Sequence, residues 1–200
     1  PPLAAFVHTS MRGHMAQHLL LGMLAPLGLV FGAPGTLLLR SVPVPTARRL
    51  VRFLGSRPLR VLTHPVTAAV LDVGGMYLLY LTPLFALTLA TPLLANLMHL
   101  HFVVAGYLFT WTIAGPDPAP HRPGRWMRLA ALFGATAAHA ILAKLMYGYG
   151  FPRGTPYDLA ELQAAAQWMY YGGDLSEALL AVAFFGQWMC RHRSGPVPPP

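Results

Sequence analysis

Long apolar stretches separated by clusters of arginine are the feature that most limits how this chain can fold. A helix needs about 20 apolar residues to cross a bilayer. Five stretches approach or exceed that length, and they cover residues 4–31, 64–80, 92–114, 126–147 and 157–189. The pattern predicts an all-α fold, a polytopic transmembrane helix bundle of about five spans.

Proline and glycine mark where these spans end. The first is followed by Gly32-Ala33-Pro34-Gly35 and the third by Gly115-Pro116-Asp117-Pro118, both of which are typical of helix ends. Pro83 leaves two interpretations of the second span open, a kink within one long helix or a true turn. We expect one helical domain, residues 1–193, followed by a disordered proline-rich tail, residues 194–200.

The composition argues against a soluble nucleic-acid-binding protein. Charged residues make up 10% of the chain, against about 25% in soluble proteins. The net charge of +8 lies in arginines between apolar spans, a position typical of topology signals and lipid headgroup contacts. Val44–Leu54 could form a short amphipathic helix at the membrane surface. The single cysteine, Cys190, excludes an intramolecular disulfide and a thiolate-rich metal site.

The distribution of lysine and arginine predicts the orientation, because these residues are enriched on the cytoplasmic side. With five spans, 11 of the 14 basic residues fall on one side, in residues 40–60, 122–128 and 191–193. The other three fall on the opposite side. The N-terminus is therefore predicted outside and the C-terminus in the cytoplasm, for a multi-pass protein of a bacterial plasma membrane.

Five of the nine histidines lie within predicted spans, where ionisable groups are costly and usually functional. They are His14, His18, His99, His101 and His139. With the predicted orientation and a rise of about 1.5 Å per residue, all five lie between the outer surface and roughly the bilayer centre. We expect a functional site in the outer half of the membrane.

Helical spacing suggests a metal site for these histidines. His14 and His18 are four residues apart, on one helix face, and such a pair can bind one metal ion. The nearby thioethers of Met11 and Met15 suit a soft ion such as Cu(I). Packing through interhelical hydrogen bonds is the alternative explanation for such a pair.

His99 and His101 are only two residues apart, so they point to nearly opposite faces of a helix. At most one of them can join an interior site, and the spacing does not say which. Met98 is expected on the face of His101, and both are candidate ligands.

The fourth and fifth predicted spans add further candidates. His139 is a candidate ligand on the fourth span. The fifth has a polar stripe whose outer members, Gln163 and Gln167, could orient ligand imidazoles together with Gln17. Interhelical packing is the alternative for the stripe. Asp72 is a lone acid in the second span.

The first histidine motif resembles a known family. His14-Met15-Ala16-Gln17-His18-Leu19-Leu20, followed by a proline and then Gly32-Ala33-Pro34, is similar to the CtaG family of cytochrome c oxidase assembly factors. Met98-His99-Leu100-His101-Phe102 and Ala138-His139-Ala140 resemble later histidine segments of that family. The resemblance extends from about His8 to Trp188.

The sequence also departs from the family. An Asp-Gln-Gln…Met-Trp pattern is replaced here by Glu161-Leu162-Gln163…Met169-Tyr170. Some members have extra spans before the first motif, so this chain is expected to be a short member or a fragment.

The resemblance implies a membrane-embedded assembly factor without enzymatic activity. It would bind copper, as Cu(I), through histidine and methionine in the outer half of the bilayer and deliver it to a haem-copper oxidase. Its implied partners are cytochrome c oxidase subunits and another copper chaperone, within the lipid bilayer and without nucleic acid.

Two other functions remain open from the residues. One is an oxidoreductase that holds a b-type haem between His14 or His18 and His139 or His101. The other is a metal or small-solute transporter, which would need a polar route into the inner half of the membrane.

Overall fold

A computed structural model describes residues 9–117 and 121–193, with side chains as far as residue 189. Within these ranges the chain is all-helical and contains no strand. The start of the first predicted span and the predicted disordered tail lie outside the described residues. The nine helices of the described part are α1 Met11–Phe31, α2 Pro34–Ser41, α3 Val44–Leu54, α4 Arg57–Leu62, α5 Pro65–Leu81, α6 Leu84–Ala90, α7 Pro92–Ala114, α8 Arg125–Tyr149 and α9 Leu159–Arg193.

Three helices of the described part, α1, α7 and α8, are long and apolar enough to cross a membrane. Helices α5 and α6 together meet the same criteria, although they are bent by 77° at the break between them. The break lies at Pro83, which lacks the N–H and the space that a continuing helix needs. The structure thus contains three or four candidate spans, against the five that the sequence predicts.

The fifth predicted span corresponds to α9, which has 35 residues and is long enough to cross a bilayer. Its polar stripe, which includes Gln163, Gln167, Asp174 and Glu177, lowers its hydropathy below that of the other candidate spans. Helix α9 nevertheless packs along α8 and also contacts α1 and α7. It is therefore an integral part of the bundle.

Helices α1 and α7 approach each other closely at two glycines. A Cβ atom on Gly106 would lie 2.0 Å from the carbonyl oxygen of Gly22. Only glycine allows this backbone contact, because every other side chain would collide with the main chain of the neighbouring helix. The contact brings His14 and His18 of α1 beside the face of α7 that carries His99.

The arginine-rich segment forms helices α2, α3 and α4 at one end of the bundle, which we call the basic end. No residue of these three helices is buried. The predicted amphipathic helix is confirmed as α3, with the bounds Val44–Leu54.

A carboxylate from another loop holds the first turn of α2. Asp117 accepts hydrogen bonds from the backbone N–H of Gly35 at 3.0 Å and of Thr36 at 2.7 Å, and from the Thr36 hydroxyl at 2.6 Å. These bonds satisfy donors that a helix N-terminus leaves without partners. They tie the Gly-Ala-Pro-Gly segment after α1 to the end of α7.

Candidate metal centre

A cavity of about 280 Å³ lies at the end of the bundle opposite the basic end, where α1, α7 and α9 begin. We call it the histidine cavity. Helix α1 contributes His14, Gln17 and His18, α5 contributes Tyr80, and α7 contributes Met98, His99 and Phe102. The i, i+4 spacing predicted from the sequence places both α1 imidazoles on this one face.

His14, which lines the cavity, contacts three aromatic rings. Its Nε2 atom is 3.1 Å from the Tyr80 hydroxyl, so the two groups form a hydrogen bond. The ring edge of Phe85 packs against the imidazole, with 4.8 Å between centroids. The His99 ring lies on the same side, 6.4 Å from His14 between centroids. Tyr80 and Phe85 therefore hold the imidazole of His14 toward His99.

His18 is almost completely buried, with 6% of its surface exposed. Its Nε2 atom has no hydrogen-bond partner, and neither has the buried Oε1 atom of Gln17. A buried polar atom without a partner costs free energy, roughly 1–3 kcal/mol. A bound ligand would remove that cost, and both atoms belong to residues that line the histidine cavity.

The structure separates His99 from His101. His99 lines the histidine cavity, whereas the Nε2 atom of His101 lies 3.0 Å from the carbonyl oxygen of Leu71. His101 borders a different, apolar groove beside Leu97 and Leu100. Two residues span about 200° around a helix, so the two rings face opposite sides of α7.

The methionines divide between the cavity and the core. Met98 lines the histidine cavity beside His99 rather than sharing a site with His101. Met98 and His99 can both line the cavity, although they are adjacent in the sequence, because the cavity spans a wide arc of α7. Met11 and Met15 are fully buried in the hydrophobic core and do not line the cavity.

The remaining predicted candidates lie elsewhere in the bundle. His139 has 1% of its side chain exposed, and its Nδ1 atom is 3.4 Å from Oε1 of Glu177. Gln163 donates to the carbonyl oxygen of Tyr147, at 3.3 Å. Gln167 is exposed in a groove between α8 and α9. None of the three lines the histidine cavity.

The mouth of the cavity includes Tyr157, from the loop before α9. Burial, and then the nearby carboxylate of Glu161, raise the pKa of Tyr157, so its phenol stays neutral at neutral pH. Glu161 also accepts a hydrogen bond from the backbone N–H of Met11, at 2.8 Å. This bond joins the first turns of α1 and α9 beside the cavity.

In the described part of the chain, no group of three or more His, Cys, Asp or Glu side chains is already arranged as a metal site. The His14–Tyr80 hydrogen bond occupies one nitrogen of His14 and leaves the other, Nδ1, for a ligand. The donor set around the cavity is three imidazoles and one thioether. Such neutral, borderline-to-soft donors fit copper better than Mg²⁺ or Ca²⁺.

Sequence reasoning did not identify Tyr80, Phe85 or Phe102 as parts of this site. Tyr80 is fully buried despite its hydroxyl group, and buried tyrosines usually have a hydrogen-bond partner. The sequence did contain one signal for Tyr80, because it is a tyrosine at the end of an apolar span, just before the break at Pro83. The identity of its partner follows only from the packing of α1 against α5.

Comparison with known proteins gives one family match. The sequence model of the family described as cytochrome c oxidase caa3 assembly factor matches residues 1–191. Uncharacterized proteins of Mycobacterium bovis and Mycobacterium tuberculosis are each 43% identical over 134 residues, which is 64% of this chain and 20% of theirs. One from Mycobacterium leprae is 38% identical over the same length. The chain therefore spans about one fifth of these relatives. No solved structure matches it.

Proposed function

The chain belongs to the family of cytochrome c oxidase caa3 assembly factors, and from this premise we propose that it holds copper, as Cu(I), for delivery to a haem-copper oxidase. The proposed ligands are His14, His18 and His99, with the thioether of Met98. His139 and His101 are not part of this set. The observation that carries the proposal is the buried, unpartnered Nε2 of His18 in a cavity shared with two further imidazoles.

The dimensions of the histidine cavity support one shared ion. A metal lies about 2 Å from each imidazole nitrogen that binds it. The rings of His14 and His99, 6.4 Å apart between centroids, are close enough for one ion between them. Because Nε2 of His14 bonds Tyr80, its Nδ1 atom is the nitrogen left for the metal. Neutral ligands release copper more readily than several thiolates would, which suits transfer to another protein.

We propose that α9 is a fifth span and that the histidine cavity opens on the outer side. Some of the polar residues that reduce the hydropathy of α9 pack against protein, because Glu177 and Ser176 are buried in the bundle. The basic end would then lie in the cytoplasm, in agreement with the enrichment of arginine there. Copper could enter the cavity without crossing the membrane, and the oxidase would receive it from the same side.

Copper loading of the purified protein tests the proposal. The chain is purified in detergent, loaded anaerobically with Cu(I), desalted, and analysed for copper by elemental analysis and for haem by absorption. We expect about one copper per chain and no Soret band. The His14→Ala/His18→Ala double variant should retain little copper while its elution profile on size exclusion stays unchanged.

Retention of the full copper content by the double variant would contradict the proposed ligand set. A Soret band in the untreated protein would support the haem alternative instead. His101 and His139, which the haem alternative needs as axial partners, both lie outside the histidine cavity, and this position favours copper over haem there. Transport would need a polar route toward the basic end, and the cavity of about 30 Å³ that Gly22 lines below His18 is much smaller than the histidine cavity.

A further inference from the structure

A second cavity lies deeper in the bundle than the histidine cavity. It has a volume of about 30 Å³ and is lined by Asp72 of α5, Thr110 of α7, and Ser176 and Glu177 of α9, among other residues. We call it the acid cavity. Gly22 of α1 lines both cavities, so they lie on either side of one residue. A space of this size holds about one water molecule.

Both acids are removed from solvent. Asp72 is 7% exposed and Glu177 is 8% exposed. The Oε2 atom of Glu177 is fully buried and has no hydrogen-bond partner. An unpartnered carboxyl oxygen beside a water-sized polar cavity indicates that this cavity holds something able to bond with it.

The acid cavity has few basic groups around it. No arginine or lysine lines it among the described residues. The basic group nearest to Glu177 is His139 of α8, 3.4 Å away between Nδ1 and Oε1. Asp174, one turn earlier on α9, adds a further negative group that acts on Glu177. On α1, His18 interacts electrostatically with His139.

Two carboxylates cannot both stay ionised in a low-dielectric interior without a compensating positive charge. We propose that Asp72 and Glu177 form a proton-binding site, in which a proton is shared across the acid cavity with His139 beside it. The ligand is a proton, held by two carboxyl groups with room for one enclosed water. This site is separate from the proposed copper site and does not depend on copper being bound.

The described residues around Glu177 fit a proton better than a metal ion. The Ser176 hydroxyl already donates to the carbonyl oxygen of Gly172, at 2.9 Å. The described residues around Glu177 do not form a metal-binding group of three His, Cys, Asp or Glu side chains. A proton needs only one lone pair and no coordination shell, which matches a cavity of this size.

Infrared spectroscopy of the copper-free protein tests the proposal. The chain has only six acidic residues, so few carboxyl groups contribute to the spectrum. At mildly alkaline pH, solvent-exposed Asp and Glu are ionised, and a detergent without ester groups keeps the carbonyl region clear. We expect the C=O stretch of a protonated carboxyl group to persist in the wild-type protein and to shift in D2O. The band should disappear completely in the Asp72→Asn/Glu177→Gln double variant.

Asp158→Asn is the matched control, because Asp158 is an exposed acid in the loop before α9 and does not line the acid cavity. It should leave the band unchanged. Absence of the band in the wild-type protein would overturn the proposal without any variant. A band that survives in the double variant, or disappears with Asp158→Asn alone, would also overturn it. If the double variant does not fold, the single variant Glu177→Gln must alter the band. None of these outcomes depends on copper binding.

Discussion

The Nε2 atom of His14 lies 3.1 Å from the hydroxyl oxygen of Tyr80, a residue with no exposed surface. The two residues are on α1 and α5, 66 positions apart in the chain. This hydrogen bond engages Nε2 of His14, so a metal that leaves the bond intact would bind Nδ1. Imidazoles that bind metals generally have such an orienting partner on the other ring nitrogen.

Tyr80→Phe is expected to weaken Cu(I) binding by roughly 10- to 100-fold, because loss of an orienting partner typically has that effect. Competition with a Cu(I) chelator measures the change. Tyr77→Phe is the matched control, since the Tyr77 hydroxyl donates to the carbonyl oxygen of Ala138, at 2.8 Å, away from the cavity. Tighter binding by Tyr80→Phe would mean instead that the phenol competes with the metal for Nε2.

Alanine substitutions at the two histidines of α7 should have different effects on copper content. His99→Ala should reduce copper content, because His99 lines the histidine cavity. His101→Ala should retain it, because that ring bonds the Leu71 carbonyl group on the other side of the helix. Elemental analysis of both variants after identical loading decides the matter. Equal losses in the two would contradict the assignment of His99 as a ligand.

Gly106→Ala is expected to destabilise the bundle by roughly 1–3 kcal/mol, the usual range for overpacking. The added Cβ would meet the Gly22 carbonyl oxygen and push α1 away from α7. Gly134→Ala is the control, because a Cβ there has no atom within 4 Å. It should be neutral or slightly stabilising, since alanine favours helix more than glycine. Thermal unfolding in detergent compares them, and equal midpoints would argue against the close helix contact.

Asp117→Ala should destabilise the basic end by roughly 1–3 kcal/mol, because it leaves the first N–H groups of α2 without their partner. Thr36→Val, which removes only the hydroxyl bond, should have a smaller effect. Limited proteolysis of residues 34–62 measures the loosening. If both variants are cleaved at the wild-type rate, the Asp117 contacts do not hold this segment.

Single-cysteine variants test the proposed topology in a Cys190→Ser background. Ser56→Cys and Trp188→Cys should react only when a membrane-impermeant thiol reagent reaches the cytoplasmic side. Thr155→Cys, in the loop before α9, should react from outside. Labelling of positions 155 and 188 from the same side would show that α9 does not cross the bilayer.

The sequence by itself determined the helical class and the amphipathic helix Val44–Leu54, and it marked Pro83 as an interruption without deciding between a kink and a turn. It also placed His14 and His18 on one face. These features depend on hydropathy, on helical periodicity and on the geometry of proline, all of which act within a few residues of the chain. The family resemblance also came from local motifs and was confirmed by the match to residues 1–191.

The tertiary structure decided which histidines meet. Helical spacing put His99 and His101 on opposite faces, but only the packing of α7 against α1 and α5 turned His99 toward the cavity. The same packing placed Met11 and Met15 in the core and His139 beside Glu177. It also gathered Asp72 and Glu177, which are 105 positions apart in the chain, around one cavity. Contacts between distant helices depend on how whole surfaces fit together, and no local pattern encodes that fit.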